Sequence, residues 1–207
     1  MKRSKSEEAL RFLSEKKNTL IAVVAAAFVV VMAILSISYL NEQRQIDAKG
    51  AFGRALITAT DRDALVDILR GVAQEHKSSV YATYSLMLIG QHLIDAGEYR
   101  EAVGVLEQAL NAKQPAPFLT AMILESKATA HEFNGSLDDA IMTFEKALAM
   151  QNNFFRRNEV LFKLALLNSR MGETAAAQRR FEEIIADGSA NDRILRIAKN
   201  ELSALGL

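Results

Sequence analysis

The chain has 207 residues, no cysteine, and equal numbers of acidic and basic side chains, 25 of each. The absence of cysteine excludes disulfides, thiol nucleophiles and cysteine-ligated metals. Only Pro115 and Pro117 interrupt a composition rich in helix formers, which points to an all-α protein with one domain of ordinary size plus an appendage.

Zero net charge conceals a split. Residues 1–18 carry six bases (Lys2, Arg3, Lys5, Arg11, Lys16, Lys17) against three acids. Residues 41–150 carry ten bases and fifteen acids, and residues 151–207 carry nine and seven. A mildly acidic body argues against nucleic acid as a partner.

Glu7, Glu8, Leu10, Phe12 and Leu13 suggest a short amphipathic helix at the start. No charge then interrupts Thr19 to Leu40. As a helix this stretch measures about 33 Å, enough to cross a hydrocarbon core of roughly 30 Å. Tyr39 lies where an interfacial aromatic would sit. A cleaved signal peptide fits less well, since its apolar region would be shorter and end at a small-x-small site. Ala25-Ala26-Ala27 lies mid-segment, and Ser36-Ile37-Ser38 is a weak match. A buried core helix would be interrupted by charge well before this length. The reading is an uncleaved single-pass anchor. Six bases precede it, whereas Arg44 and Lys49 alone follow closely, so the N-terminus is expected in the cytoplasm and the body beyond the membrane. In a bacterium that is the inner membrane, with the body in the periplasm.

The body repeats. In Leu86 to Leu110, the residues Leu86, Ile89, Gly90 and Leu93 lie at helical spacing. Ala96-Gly97 breaks the run, and Tyr99, Ala102, Leu106 and Ala109 resume it on a second helix. A second copy reads Leu124, Ala128 and His131, then Asn134-Gly135, then Leu137, Ala140, Phe144 and Ala147. A third reads Leu161, Leu164, Ala165 and Asn168, then Met171-Gly172, then Ala177, Phe181 and Ile184. Ala102, Ala140 and Ala177 are separated by 38 and 37 residues, and Gly97, Gly135 and Gly172 precede them by five. Such units cannot bury their apolar faces alone and must stack.

This pattern resembles the tetratricopeptide repeat, whose period is about 34 residues. The extra residues are expected in the connections, at Gln114–Leu119 and Asn152–Arg157. Upstream, Asp47 to Thr58 and Asp61 to His76 read as a degraded pair with Asp61 as N-cap. Downstream, residues 192–205 read as a capping helix, with Ile194, Leu195, Ala198 and Leu202 inward and Arg193, Arg196, Lys199 and Asn200 outward. The expected layout is a cytoplasmic segment (1–18), a transmembrane helix (19–40) and a tetratricopeptide-like α-solenoid (41–207). The solenoid comprises the degenerate pair 45–78, repeats 83–116, 121–154 and 158–191, and the cap. About nine helices are expected from residue 45 onward.

Catalytic chemistry is not signalled. His76, His92 and His131 have no metal-ligand spacing, and no phosphate loop, nucleophile elbow or dinucleotide fingerprint occurs. Asp138-Asp139 and Glu182-Glu183 diverge by about 100° on a helix and form no paired-carboxylate site. Neither an enzyme nor a cofactor is expected. Arg156, Arg157, Arg179, Arg180, Arg193 and Arg196 read as solvated helix faces amid seven acids rather than as a basic patch.

In tetratricopeptide folds the first helix of each pair lines the inner surface. Positions not assigned to packing there are Tyr84, Met87, Gln91 and Asp95 in the first copy. In the second they are Met122, Glu125, Thr129, Glu132 and Phe133. In the third they are Glu159, Phe162, Leu166 and Arg170. The candidate partner-binding groove is Tyr84, Met87, Gln91, Met122, Glu125, Thr129, Phe133, Phe162 and Leu166. Methionines and aromatics at such positions accept varied apolar segments. Phe154-Phe155 is a separate candidate contact.

As a whole the chain resembles the ancillary subunit of the bacterial SecYEG translocon, the YfgM-like group. The resemblance is carried by EEALRFLSEKKN before the anchor and HKSSVYATYSLMLIGQHLIDAGEYREAVGVLEQAL after it. It implies a periplasmic helper near the translocon exit whose partners are translocon subunits, chaperones or unfolded chains. Self-association is a further possibility. Two alternatives are a scaffold in another envelope or secretion complex, and an organelle import receptor with cytosolic repeats.

Overall fold

The computed structural model describes residues 17–112, 117–150 and 156–205. The segment before residue 17 and Phe154-Phe155 lie outside the described residues. Nine helices occur among the described residues. They are α1 (Lys17–Thr58), α2 (Arg62–Glu75), α3 (Val80–Asp95), α4 (Tyr99–Leu110), α5 (Pro117–Phe133), α6 (Leu137–Ala149), α7 (Arg157–Arg170), α8 (Thr174–Ala186) and α9 (Asp192–Ala204). Compactness divides the chain between Asp47 and Ala48.

The expected transmembrane helix and the first helix of the degenerate pair are one element. α1 runs for 42 residues, roughly 63 Å. The stretch Asn41 to Lys49 contains neither glycine nor proline, so nothing stops the helix where the apolar run ends. α1 ends near Asp61, the N-cap of α2, whose carboxylate accepts from the Ala64 backbone N–H at 2.8 Å. Every described residue from Ile21 to Leu40 is exposed, and this is the one helix long and apolar enough to span a membrane among the described residues.

In the unit from Ala48 onward, three helix pairs share one turn. Gly97, Gly135 and Gly172 have φ of +82°, +80° and +78°. That left-handed conformation favours glycine and closes each first helix. The N–H groups of Glu98, Ser136 and Glu173 donate to the carbonyls of Leu93, His131 and Asn168 at 2.8, 2.9 and 2.9 Å. Ala102, Ala140 and Ala177 then donate to the carbonyls of Glu98, Ser136 and Glu173, each at 3.0 Å. The two hydrogen bonds fix where the second helix starts relative to the end of the first.

Packing follows the same register. Gly90, Ala128 and Ala165 are buried, and so are Leu106, Phe144 and Phe181 on the paired helices. A Cβ at Gly90 would lie 2.5 Å from Leu106 Cγ, so glycine there permits the α3–α4 approach. Ala55 of α1 packs with Val66 and Leu69 of α2 and with Ile89 and Leu93 of α3. α9 packs on α8 and α7 and buries Ile194 and Ala198, while Arg193, Arg196, Lys199 and Asn200 are exposed.

The added length does not all go to connections. α5 begins at Pro117, within the expected connection Gln114–Leu119. Proline suits the first turn of a helix because its missing N–H would have no intrahelical partner there.

Candidate functional site

α3, α5 and α7 are the first helices of the three pairs, and they carry the candidate groove. α3 packs directly on α5 and α7 on α9. The structure separates the nine candidates into three groups.

Met87 is core and does not line a groove. It is 5 % exposed and clusters with Leu106, Ala109, Leu119 and Ile123, drawn from α4 and α5. α3 is covered by two neighbours, so its apolar face is broader than one stripe and takes in residue 87. Leu86, assigned to packing from the sequence, is half-buried and packs against the same cluster.

Glu125 is also unavailable to a partner. It is 5 % exposed. The Arg156 guanidinium donates from Nε to Oε2 and from Nη2 to Oε1, both at 2.7 Å. Lys163 Nζ donates to Oε1 at 2.9 Å and to Thr129 Oγ1 at 3.3 Å. The Thr129 hydroxyl donates to the Glu125 carbonyl at 3.0 Å. Burial opposes ionisation of Glu125, but the hydrogen bond from Arg156 and the charge of Lys163 outweigh it and hold the carboxyl below its ordinary value. The same hydrogen bond pushes the Arg156 guanidinium up. Arg170 Nη1 donates to Glu132 Oε1 at 2.6 Å, a second tie between α7 and α5. Gln91 Nε2 donates to Ser126 Oγ at 3.5 Å between α3 and α5. The polar candidates Gln91, Glu125 and Thr129 therefore join the first helices to one another.

The apolar candidates remain accessible. Tyr84, Met122, Phe162 and Leu166 are half-buried, and Phe133 is 57 % exposed with its ring centroid 5.4 Å from that of Tyr99. Tyr84 sits 6.2 Å from both Phe52 and Tyr81, which are 5.7 Å apart. Phe162 meets Phe181 edge-on. Sequence reasoning missed Arg156 and Lys163 as inner-face residues. A signal was present: Glu125 and Lys163, like Glu132 and Arg170, are opposite charges 38 residues apart, one repeat spacing.

Other charged candidates are similarly engaged. Arg157 pairs with Glu183, Arg180 pairs with Glu145 at 2.7 Å, and Arg179 Nε donates to the Ala175 carbonyl. His92 lies 3.6 Å from Asp63 and His131 lies 4.0 Å from Asp139. Burial pushes the His131 imidazole down, so it is neutral at pH 7. Among the described residues no group of three histidine or carboxylate side chains is placed to hold a metal.

No protein-family model matches the sequence, and neither does any curated protein. Solved structures do. A crystal structure of MamA protein superposes with a TM-score of 0.57 at 16% identity, covering 80% of this chain and 87% of that one. The nearly identical TPR-like repeats of a Podosopora anserina kinesin light chain give 0.57 at 18% identity, covering 79% and 84%. The fold is a tetratricopeptide-like α-solenoid. At these identities the likeness is one of backbone architecture. The equivalence of Gly97, Gly135 and Gly172 in φ supports the same reading from within the chain. In this solenoid α9 stands where the first helix of a further pair would stand, packed on α8 and α7.

Proposed function

We propose that the protein is a membrane-anchored protein–protein interaction module. In this reading α1 spans the inner membrane with its N-terminus in the cytoplasm. The tetratricopeptide-like unit then works in the periplasm as an ancillary factor at the Sec translocon, contacting emerging chains or chaperones. One observation carries the binding part: Tyr84, Met122, Phe162 and Leu166 stay half-buried and Phe133 exposed on the first helices, while their polar neighbours are held in internal bonds. An apolar strip with adaptable methionine and aromatic side chains suits varied unfolded segments. The bases before the anchor support the orientation, and the resemblance of its flanks to the YfgM-like group supports the translocon.

Photo-crosslinking from position 133 or 166 in living cells tests the reading. Adducts with translocon subunits, translocating chains or periplasmic chaperones are expected. Their absence, with adducts to another envelope complex instead, would replace the translocon by that assembly. A C-terminal alkaline phosphatase fusion is expected to be active. An inactive fusion would reverse the orientation and favour an import receptor with cytosolic repeats.

A further inference from the structure

A cleft of about 590 Å³ lies between α2 and α4, the second helices of the first two pairs. Ala82, Leu86 and Ile89 of α3 form its apolar floor, and Ala73, Gly104 and Val105 line its sides. Arg70 and Glu101, the first lining residues of α2 and α4, are paired at 3.0 Å. Lys77 is the last lining residue on the α2 side.

Gly104 keeps this cleft open without a structural need. It is exposed in the middle of α4, where glycine weakens a helix relative to alanine. A Cβ there would meet nothing within 4 Å. The equivalent positions in the next two repeats are large, Met142 and Arg179. The floor also changes in the second repeat, where Ile89 corresponds to Lys127, which pairs with Glu107 of α4; in the third repeat the equivalent residue is the aliphatic Leu164. Among the described residues the first junction alone combines a missing side chain with an aliphatic floor.

Its polar lining is unspent. Among the described residues the side chains of Gln74, Lys77 and Gln108 have no hydrogen-bond or ion-pair partner. Two amides on opposite sides can each give and accept a hydrogen bond, as an extended peptide backbone requires. Lys77 is exposed at the end of the cleft, where its ammonium can meet a carboxylate.

We propose that this cleft binds an extended aliphatic segment of a partner protein, with a carboxylate of that segment set against Lys77. The site is separate from the first-helix strip, and its fate leaves that reading untouched. The test uses the full chain in lipid nanodiscs and fluorescence anisotropy. The probe is a labelled hexapeptide of leucine, valine and alanine with a free C-terminal carboxylate, beside its C-terminal amide. The acid peptide is expected to bind saturably and at least about fivefold more tightly than the amide. Gly104→Met should weaken it by about tenfold or more with the thermal midpoint unchanged or raised. Lys77→Met should erase the preference for the acid and leave the amide's affinity unchanged. Absence of saturable binding, equal binding by Gly104→Met, or a preference that survives Lys77→Met would overturn the proposal.

Discussion

Glu125 and Arg156 form a two-point ion pair across the junction of α5 and α7, with both N···O distances at 2.7 Å. The carboxylate is buried, the guanidinium is partly exposed, and Lys163 completes the contact. Removing one side of such a pair leaves the other charge without its partner. Glu125→Ala should therefore destabilise the unit by about 2–4 kcal/mol, judged from charged hydrogen bonds and broken buried pairs. Denaturant unfolding followed by circular dichroism measures this. A loss below about 0.5 kcal/mol would mean the pair behaves like an exposed one.

The same pair sets a pH dependence. Glu125 has a folded-state pKa below its ordinary value, so its contribution is present above the unfolded value of about 4.3. It is lost as pH falls through the lower, folded value. The Glu125 part of the thermal midpoint should be flat from about pH 7 to 5 and fall below about pH 4, while the lowered His131 imidazole makes the total begin to fall as pH drops below about 6.5. Asp61 and Asp187, lowered by backbone hydrogen bonds from Ala64 and Ser189, titrate in the same direction. The difference between wild type and Glu125→Gln isolates the Glu125 part: the variant's curve should be shallower. Parallel curves would remove Glu125 from the account.

Met87 and Phe133 should respond in opposite ways. Met87→Glu places a carboxylate among Leu106, Leu119 and Ile123 and is expected to cost more than about 3 kcal/mol. Phe133→Ala removes an exposed ring that touches Tyr99 and should cost about 0.5–1.5 kcal/mol. Unfolding of the two variants side by side checks the ranking. Similar values would return Met87 to the accessible face.

Two helical glycines give a further contrast. Gly90→Ala puts a Cβ 2.5 Å from Leu106 Cγ, inside a packed core, and should destabilise by about 1–3 kcal/mol. Gly104→Ala meets nothing within 4 Å and should stabilise by about 0.5–1 kcal/mol. Opposite shifts in thermal midpoint are the expected result.

The sequence by itself determined the features that are local or periodic. Gly97, Gly135 and Gly172 could be read as turns because a left-handed residue at a helix end is a matter of a few neighbouring peptide groups. Ala102, Ala140 and Ala177 could be aligned because close helix packing admits only small side chains at that register. The charge-free run to Leu40 was equally plain, since length and hydropathy alone mark a helix long and apolar enough to cross a membrane. Tertiary structure decided what depends on neighbours far along the chain. Whether residue 86 or 87 of α3 was buried turned on α5 packing against it as well as α4. Whether Glu125 faced a partner or an arginine turned on contacts 31 and 38 residues away. Helical periodicity assigns a face to within one residue. Only the second helix packed against that face decides which side chain is covered.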